Sequence, residues 1–295
     1  MATLRELKTR IGSVASSEKI TGAMKMISSA KVRMNEQALK KLAPYRDQIK
    51  SIMGHILSTG TEFSSPLIET RDPKHASIVV YGSDDGLCGA YNINIFKGLL
   101  LKIEDLKREY GKDLKLTLYP IGVKMAKAVK RLQSDELDVK VIEGVDSKMA
   151  GEKVTEFTHM LRHAFSEGST DLVDVVYMKF HSMGRQSLTT EQLFPVVADK
   201  LMEGMDSAEE NQLYLFEPDA NSIFNAVLPM FVLSTMQQIT VENRASEQAA
   251  RVMAMQAAND NAKKLHESLQ IEYNKLRQEG ITTELLDILG GQVGK

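Results

Sequence analysis

The C-terminal stretch VENRASEQAARVMAMQAANDNAKKLHESLQIEYNKL, residues 241–276, decides the fold. Some of its positions recur at spacings that alternate four and three residues, which is the repeat of a left-handed coiled coil. These seam positions are Val241, Ala245, Gln248, Val252, Met255, Asn259, Ala262, His266, Leu269, Tyr273 and Leu276. Because several of them are small or polar, the sequence predicts a thin seam that packs against a second long helix.

The N-terminal segment, residues 1–57, supplies the partner helix. Pro44 is its one proline, and 11 Lys and Arg residues stand against four Asp and Glu. Apolar residues recur at helical spacing at Leu4, Leu7, Ile11, Val14, Ile20, Met24 and Ile27. A chain that returns to the same end pairs these helices antiparallel, and the basic helix is expected to face an acidic surface or a ring of carbonyls.

The middle of the chain alternates strand and helix patterns, which is typical of a mostly parallel sheet covered by helices. We expect strands at residues 77–81, 115–119, 139–142, 174–180 and 192–196, and helices at 88–108, 123–132 and 150–167. The polar run SMGRQSLTTEQ, residues 182–192, is predicted to be the turn of a hairpin with an antiparallel edge strand. The predicted segments are an N-terminal shaft helix 1–57, a linker 58–75, a central Rossmann-like α/β domain 76–200, an acidic connector or foot 201–220, and a C-terminal shaft helix 221–295.

Composition excludes several classes of function. Lys and Arg total 37 against 39 Asp and Glu, so no basic excess favours nucleic acid. The single cysteine, Cys88, rules out an intramolecular disulfide, and six scattered histidines give no metal-ligand spacing. The N-terminus lacks the pattern of a signal peptide. We therefore expect a soluble chain that is not exported and holds no metal or other cofactor.

The loop SDDGLCGAYN, residues 83–92, follows an apolar strand and precedes a helix, which is where many α/β proteins bind phosphate. Its glycines match neither the dinucleotide fingerprint nor the P-loop, and Asp84 and Asp85 would repel phosphate. The sequence thus predicts no nucleotide binding, and Cys88 is expected to pack as a small apolar residue. A nucleotide-binding α/β enzyme and a static coiled-coil scaffold remain as alternatives.

Several motifs resemble the γ subunit family of the rotary F-type ATP synthase. They are KITGAMKMISSAKV at residues 19–32, SDDGLCGAYN at 83–92, and SEQAARVMAM, YNKLRQEGIT and ITTELLDILGG near the C-terminus. They occur in the family's order at both ends and in the middle of the chain. Asp85 departs from the family pattern, which has a basic residue at that position.

The resemblance implies a non-catalytic central rotor shaft that transmits torque between a proton-driven ring of c subunits and the catalytic hexamer of three α and three β subunits. It also implies ε and δ subunits as partners, association with the membrane only through the complex, and a location at the cytoplasmic face of a bacterial inner membrane.

The resemblance also assigns contacts to individual residues. Arg277, Gln278, Thr282 and Glu284 would bind the catch loops of α and β, and Leu285, Leu286 and Ile288 would form an apolar bearing tip. Met24, Lys25 and Cys88 would contact the lever of β, while Tyr214 and Glu217 would form the foot that meets the c ring and ε.

Overall fold

The computed structural model describes residues 3–57, 63–197 and 216–293, with side chains up to residue 286 at the C-terminal end. The helices are α1 (Leu4–Leu57), α2 (Tyr91–Tyr110), α3 (Val123–Val129), α4 (Gly151–Ser166) and α5 (Ala220–Val293), and a 3-10 turn spans Lys130–Leu132. The strands are β1 (His75–Tyr81), β2 (Lys115–Ile121), β3 (Leu137–Val139), β4 (Leu172–Ser182) and β5 (Arg185–Phe194).

The chain forms two compact units. One combines Met1–Ser29 with Arg251–Lys295, and the other is Ala30–Ala250. The segments predicted as 1–57 and 221–295 therefore each contribute residues to both units. We call them the helical unit and the α/β unit.

The sheet of the α/β unit has the strand order β3-β2-β1-β4-β5. The first four strands in this order pair in parallel, and β5 pairs antiparallel with β4. Strand β1 is buried from Ala76 to Tyr81 and β4 from Leu172 to Met178, as expected for parallel strands covered on both faces. From β1 the chain runs outward through β2 to β3 and then crosses back to β4 on the other side of β1, so the direction of winding reverses between β1 and β4. This position is the topological switch point, where open α/β sheets usually bind ligands.

The hairpin confirms the predicted antiparallel edge but corrects its extent. Strand β5 begins at Arg185, so only Met183 and Gly184 lie between the two strands. The sequence prediction assigned residues 185–191 to the turn because they have no apolar face. Their polar side chains pair with β4 instead, with Thr189 opposite Tyr177 and Glu191 opposite Val175.

Side chains alternate between the two faces of the sheet and build two cores. One core joins the sheet to α1, α4 and α5 through residues such as Met53, Phe165 and Phe224. The other joins the opposite face to α2 and α3 through residues such as Leu99 and Met125. Burying one such side chain contributes about 1.5–3 kcal/mol, so the first core holds α5 firmly against the sheet.

By length and composition alone, helix α5 could cross a membrane. Among the described residues it is the one helix that is long and apolar enough to do so. The packing explains this. Phe224, Leu228 and Val232 of α5 are at most 1% exposed because they lie in the core beneath the sheet. We interpret the apolar character of α5 as that of a core helix.

The helical unit confirms the seam that the C-terminal heptads predicted. Val252, Met255 and Leu269 are buried there, and Asn259, Ala262, His266, Tyr273 and Leu276 are half-buried. Asn259 donates a hydrogen bond of 2.7 Å from its amide to the carbonyl of Glu18 on α1. Gly22 lies against this side chain, since a Cβ there would meet the Asn259 nitrogen at 3.4 Å, an ordinary contact distance. A polar seam residue that is bonded in this way fixes the register of the two helices.

The apolar stripe predicted to pack on α1 is correct from Leu4 to Val14 but not at Ile20 and Ile27. Ile20 and Ile27 are 59% and 57% exposed. The buried or half-buried positions continue the spacing of three and four on other residues, in the order Leu4, Leu7, Ile11, Val14, Glu18, Thr21, Lys25 and Ser28. The prediction followed apolar residues, whereas the coiled-coil geometry follows the heptad.

Candidate functional site

The loop between β1 and α2 is folded by its own side chains. The side chain of Asn92 accepts a hydrogen bond from the Ser83 backbone N–H at 3.0 Å and donates one to the Ser83 hydroxyl at 2.7 Å. That hydroxyl donates to the carbonyl of Asp85 at 2.7 Å. Leu87 has a positive φ of 63° in the turn and is 59% exposed. The first and last residues of the SDDGLCGAYN motif therefore close the loop on itself.

The two aspartates of this loop make internal contacts. The Asp84 carboxylate accepts hydrogen bonds from the Val123 backbone N–H at 3.1 Å and from the Ser147 hydroxyl at 2.8 Å. It thus occupies the N-terminus of α3, where an anionic ligand would otherwise be favoured. Asp85 forms an ion pair with Lys148 at 2.9 Å, and this contact raises the pKa of Lys148. Both side chains are exposed, so the pair adds little stability.

Cys88 is 3% exposed. It packs under the loop, with its sulfur 3.5 Å from the side-chain amide of Asn92. This agrees with the expectation of a small packed residue and differs from its assignment as a contact to another subunit. Leu87, in contrast, is a large apolar residue of this loop that is exposed.

Helix α5 crosses the edge of the sheet at the switch point. The amide oxygen of Asn243 accepts a hydrogen bond from the Tyr91 hydroxyl at 2.6 Å and a longer one from the Met178 backbone N–H at 3.4 Å. Tyr91 begins α2 just beyond β1, and Met178 lies in β4. The crevice between β1 and β4, where a ligand would bind in many α/β folds, is therefore filled by a residue of α5.

Neighbouring residues of α5 strengthen this contact. The hydroxyls of Tyr81 and Thr240 lie 2.8 Å apart, and burial raises the pKa of Tyr81 to about 12. Arg244 donates to the backbone carbonyl of Ser147 at 2.7 Å and to that of Met149. Burial lowers the pKa of Arg244. Sequence analysis missed these residues because polar side chains outside the seam of a long helix are usually solvated.

A polar cluster lies between α1, α5 and the β4–β5 hairpin, beside two cavities of about 260 and 290 Å³. Arg46 donates to Gln238, which donates to one oxygen of Glu242 at 2.6 Å. The other oxygen of Glu242 has no hydrogen-bond partner among the described residues, and burial raises the pKa of this carboxyl. Tyr177 donates to Glu191 at 3.2 Å, and burial together with the negative charge of Glu191 raises the pKa of Tyr177.

The residues assigned to the tip of α5 lie on an exposed helix surface. Leu285 and Leu286 are 55% and 63% exposed. Arg277, Gln278, Thr282 and Glu284 are exposed, and the Thr282 hydroxyl donates to the carbonyl of Gln278 at 2.9 Å within the helix. Ile288 belongs to α5, but its side chain lies outside the described residues.

The other assigned residues are dispersed. Met24 and Lys25 are half-buried on α1, and Glu217 is exposed just before α5. Tyr214 lies outside the described residues. Within residues 3–57, 63–197 and 216–293, no group of three or more His, Cys, Asp or Glu side chains could hold a metal ion.

These features define a class of protein in which two long terminal helices pair antiparallel and flank an α/β domain whose ligand crevice is filled by one of the helices. The family model described as "ATP synthase" matches residues 3–293. The chain is 36% identical over 301 aligned residues to the ATP synthase gamma chain of Bacteroides thetaiotaomicron, covering 99% of this chain and 100% of that protein. It is 34% identical to the ATP synthase gamma chain of Cupriavidus metallidurans, covering 99% of each. The chain belongs to the family of ATP synthase gamma chains.

Solved structures agree in fold. A chain of the Euglena gracilis mitochondrial ATP synthase rotor aligns with a TM-score of 0.60 at 21% identity, covering 94% of this chain and 98% of that chain. A chain of the Tetrahymena thermophila mitochondrial ATP synthase central stalk and c ring aligns with a TM-score of 0.57 at 21% identity, covering 81% and 99%.

Proposed function

We propose that this chain is the central rotor shaft of an F-type ATP synthase. It carries torque from a proton-driven c ring to the catalytic hexamer during ATP synthesis, and in the reverse direction during hydrolysis. The chain itself is non-catalytic, because its role is mechanical. Membership of the gamma chain family supports this proposal.

The distribution of apolar side chains in the helical unit carries the proposal. Ile20, Met26 and Ile27 of α1 are 57–69% exposed, as are Leu285 and Leu286 of α5 at 55% and 63%. The seam between the helices holds small and polar residues instead, such as Ser28, Asn259 and Ala262. Exposed apolar residues in such number indicate a protein surface that another chain covers. A shaft inside a sleeve formed by other subunits has this arrangement.

Charge supports the same partner. The part of α1 in the helical unit carries Arg5, Lys8, Arg10, Lys19 and Lys25 against Glu6 and Glu18. A basic rod with an apolar surface fits an enclosing hexamer whose facing loops are acidic, because complementary charge steers association.

The assigned contacts follow from this role. The α and β subunits would bind Arg277, Gln278, Thr282 and Glu284 at the catch loops. The lever of β would contact Met24 and Lys25, with Leu87 in place of Cys88, and the tip would turn on Leu285, Leu286 and Ile288.

The foot completes the set of partners. Tyr214 and Glu217 would meet ε and the c ring, and δ belongs to the same complex. The chain would reach the cytoplasmic face of a bacterial inner membrane only through these subunits.

Two observations weigh against a nucleotide-binding enzyme. Asn243 occupies the crevice at the switch point, and Asp84 occupies the N-terminus of α3. A static scaffold is separated from a rotor by motion alone, so the experiment must measure rotation.

The test uses the chain co-expressed with the α and β subunits of its own source. A bead is attached through Lys112→Cys, since Lys112 is exposed whereas Cys88 is buried. We expect the three subunits to co-purify, the bead to turn in one direction when ATP is added, and the chain alone to hydrolyse no ATP. An assembled complex whose bead does not turn would support the scaffold. ATP hydrolysis by the chain alone would overturn the non-catalytic role.

A further inference from the structure

Three residues of α5 attach that helix to the rest of the α/β unit. Asn243 and Arg244 follow Thr240 by three and four residues, so each lies on the same side of the helix as Thr240. They contact Tyr81 at the end of β1, Tyr91 at the start of α2, and the carbonyls of Ser147 and Met149 in the loop before α4. We name Thr240, Asn243 and Arg244 the α5 anchor.

The anchor is buried and bonded on several sides. Thr240 and Asn243 are 3% and 1% exposed. The Tyr91 hydroxyl also lies 3.1 Å from the backbone carbonyl of Asn243, so Tyr91 contacts both the side chain and the main chain of α5. Water does not compete for bonds at this depth, and each bond therefore keeps its directional preference.

The loop SDDGLCGAYN holds Tyr91 in place for this contact. Asn92 follows Tyr91 directly and bonds the backbone and the hydroxyl of Ser83 at 3.0 and 2.7 Å. These bonds close the loop and fix the first turn of α2 at the end of β1. The motif that suggested a phosphate site thus has a mechanical role within the chain.

The close-packed core around α5 resists its rotation, and hydrogen bonds add a directional restraint that apolar contacts lack. A side chain about 5–6 Å from the helix axis moves about 2 Å when the helix turns by about 20°. The bonds of Tyr81 to Thr240 and of Tyr91 to Asn243 are 2.8 and 2.6 Å long, so this movement would break them. The anchor therefore adds a directional restraint on the angular position of α5.

We propose that the α5 anchor carries torque between the α/β unit and helix α5. The inference rests on the proposed rotor function and assigns its positioning residues. The apolar core holds α5 against the sheet, and the anchor determines its angular position.

The experiment compares bond-deleting variants in the assembled complex with bead attachment at Lys112→Cys. Tyr81→Phe with Tyr91→Phe removes both tyrosine bonds to the anchor and keeps the rings. Tyr119→Phe with Thr158→Val is the matched control. It deletes two hydroxyls. Among the described residues the Thr158 hydroxyl donates to the carbonyl of Val154 within α4, and neither hydroxyl bonds to α5.

The measurement is the angular variance of the bead while the motor pauses, together with the protons pumped per ATP hydrolysed when the same variants are assembled into the complete synthase with its c ring. Because two of the three anchor residues lose a bond, we expect the variance of the anchor variant to rise measurably above that of the control and its pumping ratio to fall. The control should match the wild-type complex. Equal variance in anchor and control variants, with rotation intact, would overturn the inference alone. A wild-type complex that does not rotate would overturn the proposed function as well.

Thermal unfolding of each isolated chain distinguishes a loss of the anchor bonds from a general loss of folding. If the double variant melts well below the control, the single Tyr91→Phe variant replaces it, since it deletes one hydroxyl and keeps the rest of the core. A variance for this single variant equal to that of the control also overturns the inference, and a larger variance supports it.

Discussion

Gly122, the residue that joins β2 to α3, is predicted not to tolerate a side chain. Its φ is 98°, a conformation that L side chains rarely adopt. A Cβ added there would lie 2.9 Å from the carbonyl carbon and oxygen of Ser83. Those are backbone atoms of the loop that holds Tyr91, so the clash cannot be relieved by turning a side chain.

The cost of Gly122→Ala has two parts. Placing a side chain at this φ costs about 1–3 kcal/mol. Forcing apart closely packed backbone segments costs about 1–3 kcal/mol more. We therefore expect the free energy of unfolding to fall by about 2–6 kcal/mol, which is a large part of the stability of an ordinary domain.

Gly111→Ala is the matched control. Gly111 has a similar φ of 95°, but no atom lies within 4 Å of its added Cβ. This variant should lose only the backbone strain, about 1–3 kcal/mol. Gly12→Ala gives the opposite sign, because Gly12 lies in α1 with open space around it, and alanine favours a helix by about 1 kcal/mol.

The assay is urea unfolding of each purified chain, followed by circular dichroism. The difference between Gly122→Ala and Gly111→Ala isolates the clash with Ser83. If Gly122→Ala costs no more than Gly111→Ala, the close approach of the two loops is refuted.

Three further predictions concern burial and the helical unit. Burial raises the pKa of Glu242 above its ordinary value of 4.5. Just above pH 4.5 the folded chain therefore keeps a proton on Glu242 that the unfolded chain has lost. The free energy of unfolding should fall as the pH rises from 4.5 toward the pKa of Glu242 in the folded chain. Glu242→Gln should flatten that slope and stabilise the chain at neutral pH, and an unchanged slope in urea unfolding between pH 5 and pH 8 would contradict the assignment. Ile27→Gln should leave thermal unfolding of the isolated chain almost unchanged but reduce co-purification with α and β, whereas Leu7→Gln, at a position that is 0% exposed, should lower the melting temperature. Gln278→Ala with Thr282→Ala should weaken coupling through lost contacts worth about 0.5–1.5 kcal/mol each, measured as ATP synthesis per proton, and a wild-type ratio would argue against the catch-loop assignment.

The sequence predicted the terminal helices and their partner seam well. The heptad at Val252, Met255, Asn259 and Leu269 is visible in the chain because its period of three and four is a local property of a helix. The alternation of strands and helices in the middle was predicted for the same reason. Strand β5 was predicted too short because its residues are polar on both faces, and its pairing with β4 determines that it is a strand.

The hydrophobicity of its residues alone did not predict which residues of α1 are exposed. Ile20 and Ile27 look like core residues in the sequence, yet the heptad phase set by Leu4 and Leu7 leaves them exposed. The seam passes through Glu18 and Lys25 instead. The geometry of the coiled coil therefore decided which apolar residues of α1 are exposed.

By itself the sequence determined the long helices, the α/β domain between them and the family motifs, because these depend on periods and residue types along the chain. The tertiary structure alone decided what the SDDGLCGAYN loop does. Asn243 follows the start of that loop by 160 residues in the chain, and only folding brings it to the hydroxyl of Tyr91. A bond between such distant residues leaves no local pattern in the sequence, so the attachment of α5 to the sheet became visible only in three dimensions.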